Sequence, residues 1–175
     1  DVERSRGLGD VYKRQENIHM WRVGNYYVSH NGHVSDYAFY IYYYKGYVYT
    51  IRENDVNGES DSRRFINNDL RKCLEDEDVE CMKEKSREKG FSGVLLATHV
   101  KKDKIIIISR HKSAKLNILG DLIIISNDPI PTPIYEYGVF TIKRNSGEAE
   151  NFAAIMSVPE LDIIDYADIP MTWGY

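Results

Sequence analysis

Residues 90–109, GFSGVLLATHVKKDKIIIIS, contain two apolar runs separated by a short charged stretch. The runs Phe91–His99 and Lys104–Ser109 lack the three- to four-residue spacing of an amphipathic helix, and the second is dominated by β-branched isoleucine. The charged stretch Lys101-Lys102-Asp103 is suited to a turn between two strands. The sequence therefore predicts a β-hairpin over these residues.

Upstream of Gly90 the apolar periodicity is that of a helix. Five apolar residues recur at steps of three and four positions and so share one face of a predicted helix: Phe65, Ile66, Leu70, Cys73 and Leu74. Ser60 and Asp61 are both candidates for its N-cap, because short polar side chains accept hydrogen bonds from the first backbone N–H groups of a helix. A second, charged helix is predicted over Val79–Lys89, and Gly90 is suited to end it.

Further strands are predicted on both sides of these helices. Four segments have alternating, β-branched or short apolar patterns: Tyr26–Ser29, Leu122–Ser126, Tyr135–Arg144 and Phe152–Val158. Leu122–Ser126 is nearly all isoleucine, which predicts burial on both faces. The tyrosine-rich tract Tyr37–Tyr49 predicts two strands around a tight turn at Lys45-Gly46, with a helix from Ser35 as the alternative. Helices grouped between runs of strands predict an α+β fold, with helices packed on an antiparallel sheet.

The composition argues against several classes of protein. The 175 residues include 23 Lys and Arg against 27 Asp and Glu, a net charge of −4, which is unlike a general nucleic-acid binder. No apolar run approaches the roughly 18 residues of a membrane span, and the first residues do not resemble a signal peptide. Cys73 and Cys81 lack the spacing of metal ligands, so neither a zinc ribbon nor a disulfide framework is expected. A cytoplasmic protein without metal or cofactor is therefore predicted.

Residues 1–15, DVERSRGLGDVYKRQ, show no apolar periodicity. The stretch Asp10–Gln15 can be encoded by GAT GTG TAT AAG AGA CAG, which matches the end of a transposon-type sequencing adapter read in frame. We interpret residues 1–15 as a non-native leader, with a flexible natural tail as the alternative. The native chain is then expected to begin upstream of Glu16. A partial domain over residues 16–158 and a C-terminal tail over residues 159–175 complete the predicted organisation.

Two short polar motifs have residue types that can carry chemistry. In His30-Asn31-Gly32, a side-chain amide and a glycine N–H can donate hydrogen bonds to one oxygen, as an oxyanion hole does. In Ser60-Asp61-Ser62, the aspartate can bind a substrate ammonium group. Each motif alone is more commonly structural, because Asn-Gly forms turns and Ser or Asp caps helices.

In this order and spacing, the motifs resemble the glutaminase domain of class II glutamine amidotransferases, which are N-terminal-nucleophile hydrolases. In that family an acidic or amide residue, one further residue and His-Pro precede a strand that ends in HNG, and Asp-Ser or Asp-Thr follows a later loop. Here Asn17-Ile18-His19-Met20 precedes the HNG motif, and Ser60-Asp61-Ser62 follows it. The segments Gly90–Leu96, Lys104–Arg110 and Leu122–Pro129 resemble later strands of the family. The resemblance covers about residues 16–145 and implies a four-layer αββα sandwich of antiparallel sheets, incomplete at its N-terminal side.

The resemblance also implies a role for each matching residue. Asn31 and Gly32 would form the oxyanion hole, and Asp61, with Gly32, would bind the substrate glutamine by pairing with its α-ammonium group. Structural residues near the site would be His19, His30 and Ser60. The implied reaction converts glutamine to glutamate and ammonia, which in this family normally passes to a separate synthase site. The ammonia acceptor is left open, and a free-standing glutaminase-like protein is an equal alternative.

The sequence departs from the family pattern at several positions. Met20 replaces the usual proline, Arg63 stands where an acidic residue is common, and the tyrosine tract is an unusual insertion. The nucleophilic Cys and the arginine loop that grips the substrate carboxylate would both lie upstream of His19, so the implied fragment lacks them. Cys73 and Cys81 cannot replace the nucleophile, because they fall in the helical region, on a face that is better explained by packing.

A non-catalytic binding or structural module with the same fold is the alternative function. Neither nucleic acid nor a membrane is an expected partner, and a homo-oligomer is left open. The tyrosine tract is expected to pack on the sheet or to contact a partner. Stacking on nucleic-acid bases is less favoured, because only Lys45 and Arg52 add positive charge to the tract.

Overall fold

The computed structural model describes residues 20–38, 40–51, 60–128, 135–144 and 147–171. The predicted leader, residues 1–15, and His19 lie outside the described residues. The strands are β1 (Trp21–Val23), β2 (Tyr26–Val34), β3 (Tyr40–Tyr44), β4 (Tyr47–Ile51), β5 (Phe91–His99), β6 (Lys104–Arg110), β7 (Ala114–Leu119), β8 (Leu122–Ser126), β9 (Glu148–Ala149), β10 (Phe152–Ser157) and β11 (Ile163–Asp168). The helices are α1 (Ser35–Ala38), α2 (Asp61–Arg64), α3 (Arg71–Glu75), α4 (Val79–Glu88) and α5 (Gly138–Arg144), and a π-helical segment, Phe65–Leu70, joins α2 to α3.

The described strands form three antiparallel sheets. The largest has the order β1-β2-β5-β6-β10-β11, a smaller one has the order β8-β7-β9, and β3 pairs with β4. The hairpin predicted over residues 90–109 is confirmed as β5 and β6, and it occupies the centre of the largest sheet. Helices combined with antiparallel sheets confirm the predicted α+β class. None of the helices in the described segments is long and apolar enough to cross a membrane.

The central strands of the large sheet are apolar on both faces, so a layer packs on each side. In β6, Ile106 and Ile108 pack in one core with the segment from α2 to α4. Ile105 and Ile107 pack in a second core with β7 and α5. Near-continuous apolar runs are typical of strands covered on both faces. The described residues therefore form three layers: helices, the large sheet, and the small sheet with α5.

The helical segment that follows Ser60 agrees with the sequence prediction. Ser60 is its N-cap, and the Ser60 side chain accepts a hydrogen bond from the backbone N–H of Arg63 at 3.2 Å. The five residues predicted to share one face are all fully buried: Phe65, Ile66, Leu70, Cys73 and Leu74. The second helix, α4, is capped by Asp78 and ends before Gly90, which has a positive φ of 69°. The three- to four-residue apolar spacing is thus explained by burial against the large sheet.

The tyrosine tract forms the two predicted strands. Strands β3 and β4 pair on either side of Lys45-Gly46. Both turn residues have positive φ, 50° and 81°, which is the combination found in a type I′ hairpin turn. The alternative, a helix from Ser35, holds only for the four residues of α1.

Two details of the strand predictions are wrong. Tyr135–Arg144 contains helix α5: Val139 and Phe140 are adjacent in sequence and pack in the same core, whereas adjacent side chains of a strand point to opposite faces. Leu122–Ser126 is a strand, β8, but it is not buried on both faces. It lies at the edge of the small sheet, and Leu122 is 60% exposed. Its neighbour β7 is not among the predicted strands, although Lys115 and Asn117 alternate there with apolar residues.

Cys73 and Cys81 are joined by a disulfide, with their Cα atoms 5.4 Å apart. This pairing differs from the sequence expectation, in which the two residues only pack. The bond connects α3 to the first turn of α4, and Cys73 is fully buried beneath it. The two cysteines are eight residues apart in sequence and lie on either side of the turn between two helices. The sequence alone does not show that they are close, because their distance depends on how the two helices pack.

We expect the disulfide to contribute about 2–3 kcal/mol to the free energy of unfolding, because it restricts the unfolded chain. Urea denaturation with and without a reducing agent measures this difference. A Cys73→Ser/Cys81→Ser variant is the control and should not respond to the reducing agent. Alkylation of the denatured, unreduced protein should label neither cysteine, and labelling of both would contradict the bond.

Candidate functional site

The HNG motif lies inside a strand. Strand β2 runs without interruption from Tyr26 to Val34, and Asn31 and Gly32 pair in register with Val94 and Gly93 of β5. The interpretation of Asn31-Gly32 as an ordinary turn is therefore wrong. Pairing with β5 keeps the backbone extended at Asn31 and Gly32, where the local sequence favours a turn.

Two glycines allow β2 and β5 to approach closely at this point. Gly32 and Gly93 face each other and have φ values of 154° and 119°, a region that residues with a side chain rarely adopt. A Cβ atom on Gly32 would lie 1.9 Å from the carbonyl oxygen of Ser92, and one on Gly93 would lie 2.1 Å from that of Asn31. Both positions thus require glycine for the backbone contact itself.

The backbone N–H of Gly32 points away from β5. Two hydrogen bonds bracket the ladder: Val100 N–H donates to the Asn25 oxygen at 2.8 Å, and Ser35 N–H donates to the Gly90 oxygen at 3.1 Å. In an antiparallel ladder every second residue bonds to the same neighbour, so the odd-numbered residues of β2 bond to β5. The even-numbered ones face the opposite edge. There, in the part of the chain that the structure describes, pairing with β1 ends at Val28. Gly32 N–H therefore lies on a stretch of edge beyond β1.

Asp61 lies on the same edge of β2. Its Oδ2 accepts a hydrogen bond from the backbone N–H of Val34 at 2.7 Å. Gly32 and Val34 are two residues apart in an extended strand, so their N–H groups are separated by about 7 Å and point in the same direction. The carboxylate at the start of α2 and the N–H group of Gly32 thus share one edge, although they are distant in sequence.

His30 and Ser62 attach the start of the helix to β2. The buried imidazole of His30 lies 2.7 Å from Ser62 Oγ through Nδ1 and 3.0 Å from the Ser92 carbonyl through Nε2. Because a carbonyl can only accept, Nε2 donates to Ser92, and in the neutral ring Nδ1 then accepts from the serine hydroxyl. The ring also stacks on Phe91, with centroids 4.7 Å apart. These contacts, together with the Ser60 cap, hold Asp61 at the strand edge.

The side chain of Asn31 lies on the other face of β2 from His30, because neighbouring side chains alternate along a strand. Asn31 Nδ2 donates to Oδ1 of Asn127 at 2.6 Å. Asn127 directly follows β8, so the amide of Asn31 is oriented by the small sheet and the carboxylate of Asp61 by the helix layer. Asn127 is not among the predicted site residues. The feature of the sequence that could have indicated it is its position directly after an apolar strand, in Ser126-Asn127-Asp128.

Positive charge is concentrated beside the glycine pair. Arg110, the last residue of β6, pairs in register with Gly93, and its Nη1 donates to the Phe91 carbonyl at 3.0 Å. Burial, and then the nearby Arg87, lower the pKa of the Arg110 guanidinium. Burial, and then the nearby Arg110, also lower the pKa of the His111 imidazole. Within the described segments, no group of three or more His, Cys, Asp or Glu residues is placed to hold a metal ion.

Comparison of the chain with models of known protein families and with curated proteins finds no match. The motifs, the strand edge and the contacts of Asp61 and Asn31 are the features that bear on function. The cytoplasmic location also stays a prediction.

We expect Gly32→Ala to lower the free energy of unfolding by about 2–5 kcal/mol, because the new Cβ would overlap the Ser92 oxygen and force a rare φ. Gly120→Ala is the matched control. Gly120 also has a positive φ, 60°, but a Cβ there would meet nothing within 4 Å, so a loss of only about 1–2 kcal/mol is expected. Urea denaturation of both variants measures the difference, and equal losses would contradict the close approach of β2 and β5.

Proposed function

We propose that this chain is part of the glutaminase domain of a class II glutamine amidotransferase, and that it binds glutamine along the edge of β2. In this proposal the three described layers belong to a four-layer αββα sandwich. The single observation that carries the proposal is the common edge of Gly32 N–H and Asp61, with Asn31 adjacent.

The size of glutamine agrees with the spacing along this edge. Five bonds in an extended zigzag separate its α-nitrogen from its side-chain carbonyl oxygen, a distance of about 6 Å. The donor on Gly32 and the carboxylate of Asp61 are offset by about 7 Å along the strand. A glutamine lying parallel to β2 can therefore direct its carbonyl to Gly32 and its ammonium to Asp61 at the same time.

The proposed chemistry assigns a separate task to each group. A cysteine thiolate attacks the side-chain carbonyl of glutamine, and the resulting oxyanion accepts hydrogen bonds from Gly32 N–H and from Asn31 Nδ2. Asn31 Nδ2 carries two protons, so one can bond to Asn127 while the other meets the oxyanion. When the tetrahedral intermediate collapses, the C–N bond breaks and the nitrogen leaves as ammonia with the proton that the thiol had given to the base. Water then hydrolyses the remaining thioester to glutamate and free thiol.

The nucleophile in this proposal is an N-terminal cysteine whose own α-amino group acts as the base. It is not one of the cysteines of this sequence, which contains two, Cys73 and Cys81, joined to each other. The 175 residues are therefore expected to bind glutamine without hydrolysing it.

We expect L-glutamine to bind the 175-residue protein and Asp61→Asn to weaken this binding about tenfold or more, because the ammonium loses a charged partner while Val34 N–H keeps an acceptor. Titration followed by NMR or calorimetry measures the dissociation constants. Asp78→Asn, which alters another aspartate at a helix N-terminus, is the matched control and should leave binding unchanged.

A ligand without the α-amino group distinguishes the loss of ammonium binding in Asp61→Asn from a general loss of structure at the site. 4-Carbamoylbutanoate has the same chain and amide, so wild type and Asp61→Asn should bind it equally weakly. Equal binding of glutamine by wild type and Asp61→Asn would contradict the proposed site.

In a protein that carries the N-terminal cysteine, we expect Asn31→Ala to lower kcat for glutamine hydrolysis by about 10²–10³, the usual effect of losing one oxyanion donor. Release of ammonia under saturating glutamine measures this change. Full activity in Asn31→Ala would contradict the oxyanion role, and no glutaminase activity in the parent protein would favour the non-catalytic module.

A further inference from the structure

The turn between α3 and α4, which the Cys73–Cys81 bond closes, is also held by contacts that involve neither sulfur atom. Glu77 lies in this turn and has a positive φ of 51°. Its Oε1 accepts a hydrogen bond from the Tyr26 hydroxyl at 2.5 Å, and its Oε2 accepts one from Lys104 Nζ at 2.7 Å. These contacts tie the turn to β2 and β6, so we expect the turn to stay in place when the disulfide is opened.

The two cysteines differ in their accessibility. Cys73 is fully buried in the helix layer, whereas Cys81 is partly exposed. Disulfide exchange begins when a thiolate attacks one of the two sulfurs, and access decides which sulfur is attacked. A thiolate from solution therefore reaches Cys81. Disulfides in the cytoplasm, the predicted location of this chain, are usually transient and act in catalysis or in redox sensing.

The π-helical segment Phe65–Leu70 has a conformation that differs from the one its sequence predicts. The apolar spacing of the segment predicts a regular α-helix, and π-helices of this length are rare. In a π-helix each N–H group bonds to the carbonyl five residues earlier, and in an α-helix to the carbonyl four residues earlier. Conversion of the segment to an α-helix would therefore move the residues that follow it by one helical position.

The chain is held on both sides of this segment. Before it, Ser62 contacts the buried His30. After it, Cys73 is bonded to Cys81, with the Cα atoms 5.4 Å apart, and α4 packs on the large sheet through the fully buried Met82. A shift of one helical position moves a Cα atom by about 3.8 Å, whereas a disulfide accepts only about 4.4–6.8 Å between its Cα atoms. The bond therefore opposes the shift.

We propose that the Cys73–Cys81 bond is a reversible redox switch, which holds Phe65–Leu70 in the π conformation and releases it to an α-helix when a dithiol reduces the bond. The switch does not depend on the proposed glutamine site, because Asp61 and its contacts lie before the segment.

The reduction transfers two electrons and two protons to the protein. A thiolate of the dithiol attacks Sγ of Cys81, the S–S bond breaks, and Cys73 leaves as a thiolate that takes up a proton. The second thiol of the reductant then attacks the mixed disulfide and releases the Cys81 thiol, while the dithiol becomes a disulfide.

NMR couplings across hydrogen bonds test the proposal in the full chain, because they identify the carbonyl to which each N–H group bonds. In the oxidised protein the N–H group of Leu70 should couple to the carbonyl of Phe65. After reduction with dithiothreitol in the absence of denaturant, it should couple to the carbonyl of Ile66 instead. Re-oxidation should restore the first pattern, and the amide signals of β5 should stay dispersed throughout.

Two variants distinguish the bond from other effects of the reductant. Cys81→Ala removes the bond but keeps the buried Cys73 side chain, so it should show the coupling to Ile66 with and without dithiothreitol. Glu80→Ala, at an exposed position in the same turn of α4, is the matched control and should respond as wild type does.

Three results overturn the proposal. The first is a bond that dithiothreitol opens only in urea, which assigns the disulfide a purely structural role. The second is a reduced protein in which Leu70 still couples to Phe65. The third is a reduced protein that loses the dispersed signals of β5, because a switch requires two folded states.

Discussion

The close approach of β2 and β5 at Gly32 and Gly93 is the constraint on which the candidate site depends. The two backbones meet where a single methyl group would overlap a carbonyl oxygen, so the ladder is continuous through the HNG motif. That continuity fixes which N–H groups face β5 and which face the outer edge. The same ladder presents Ser92 to His30, and His30 in turn holds Ser62. The position of Asp61 at the edge therefore follows from backbone contacts several residues away.

Much of the fold was accessible from the sequence because local and tertiary preferences agree. Phe65, Ile66 and Leu70 repeat with the period of a helix, and burial against the large sheet requires that period. Ser60 caps the helix for reasons contained within four residues. The turn at Lys45-Gly46 was equally local, since a glycine beside a residue that tolerates positive φ suits a two-residue hairpin. The order of HNG and Ser60-Asp61-Ser62 predicts that the motifs belong to one site, and this stays a prediction; the structure shows that Asp61 accepts a hydrogen bond from Val34, two residues after HNG.

The remaining features depend on partners that are distant in the chain. Asn31-Gly32 has the sequence of a turn, and only pairing with β5 makes it a strand. Phe140 lies in a helix because the second core has room for two adjacent apolar residues, a space that is created by β7 and β10. The bond between Cys73 and Cys81 requires two helix ends to meet. Asn127 contacts Asn31 across 96 positions of sequence, which no local pattern can indicate.

The hydrogen bond between Val34 and Asp61 has a consequence for how this chain can vary. It ties together the two ends of the segment that contains α1 and the hairpin of β3 and β4, so that segment leaves the site and returns to nearly the same point. Lengthening a loop whose ends are already pinned is inexpensive, about 0.6 kcal/mol for each doubling. The segment that contains the hairpin can therefore be lengthened at little cost in free energy, while the spacing of the groups along β2 stays the same.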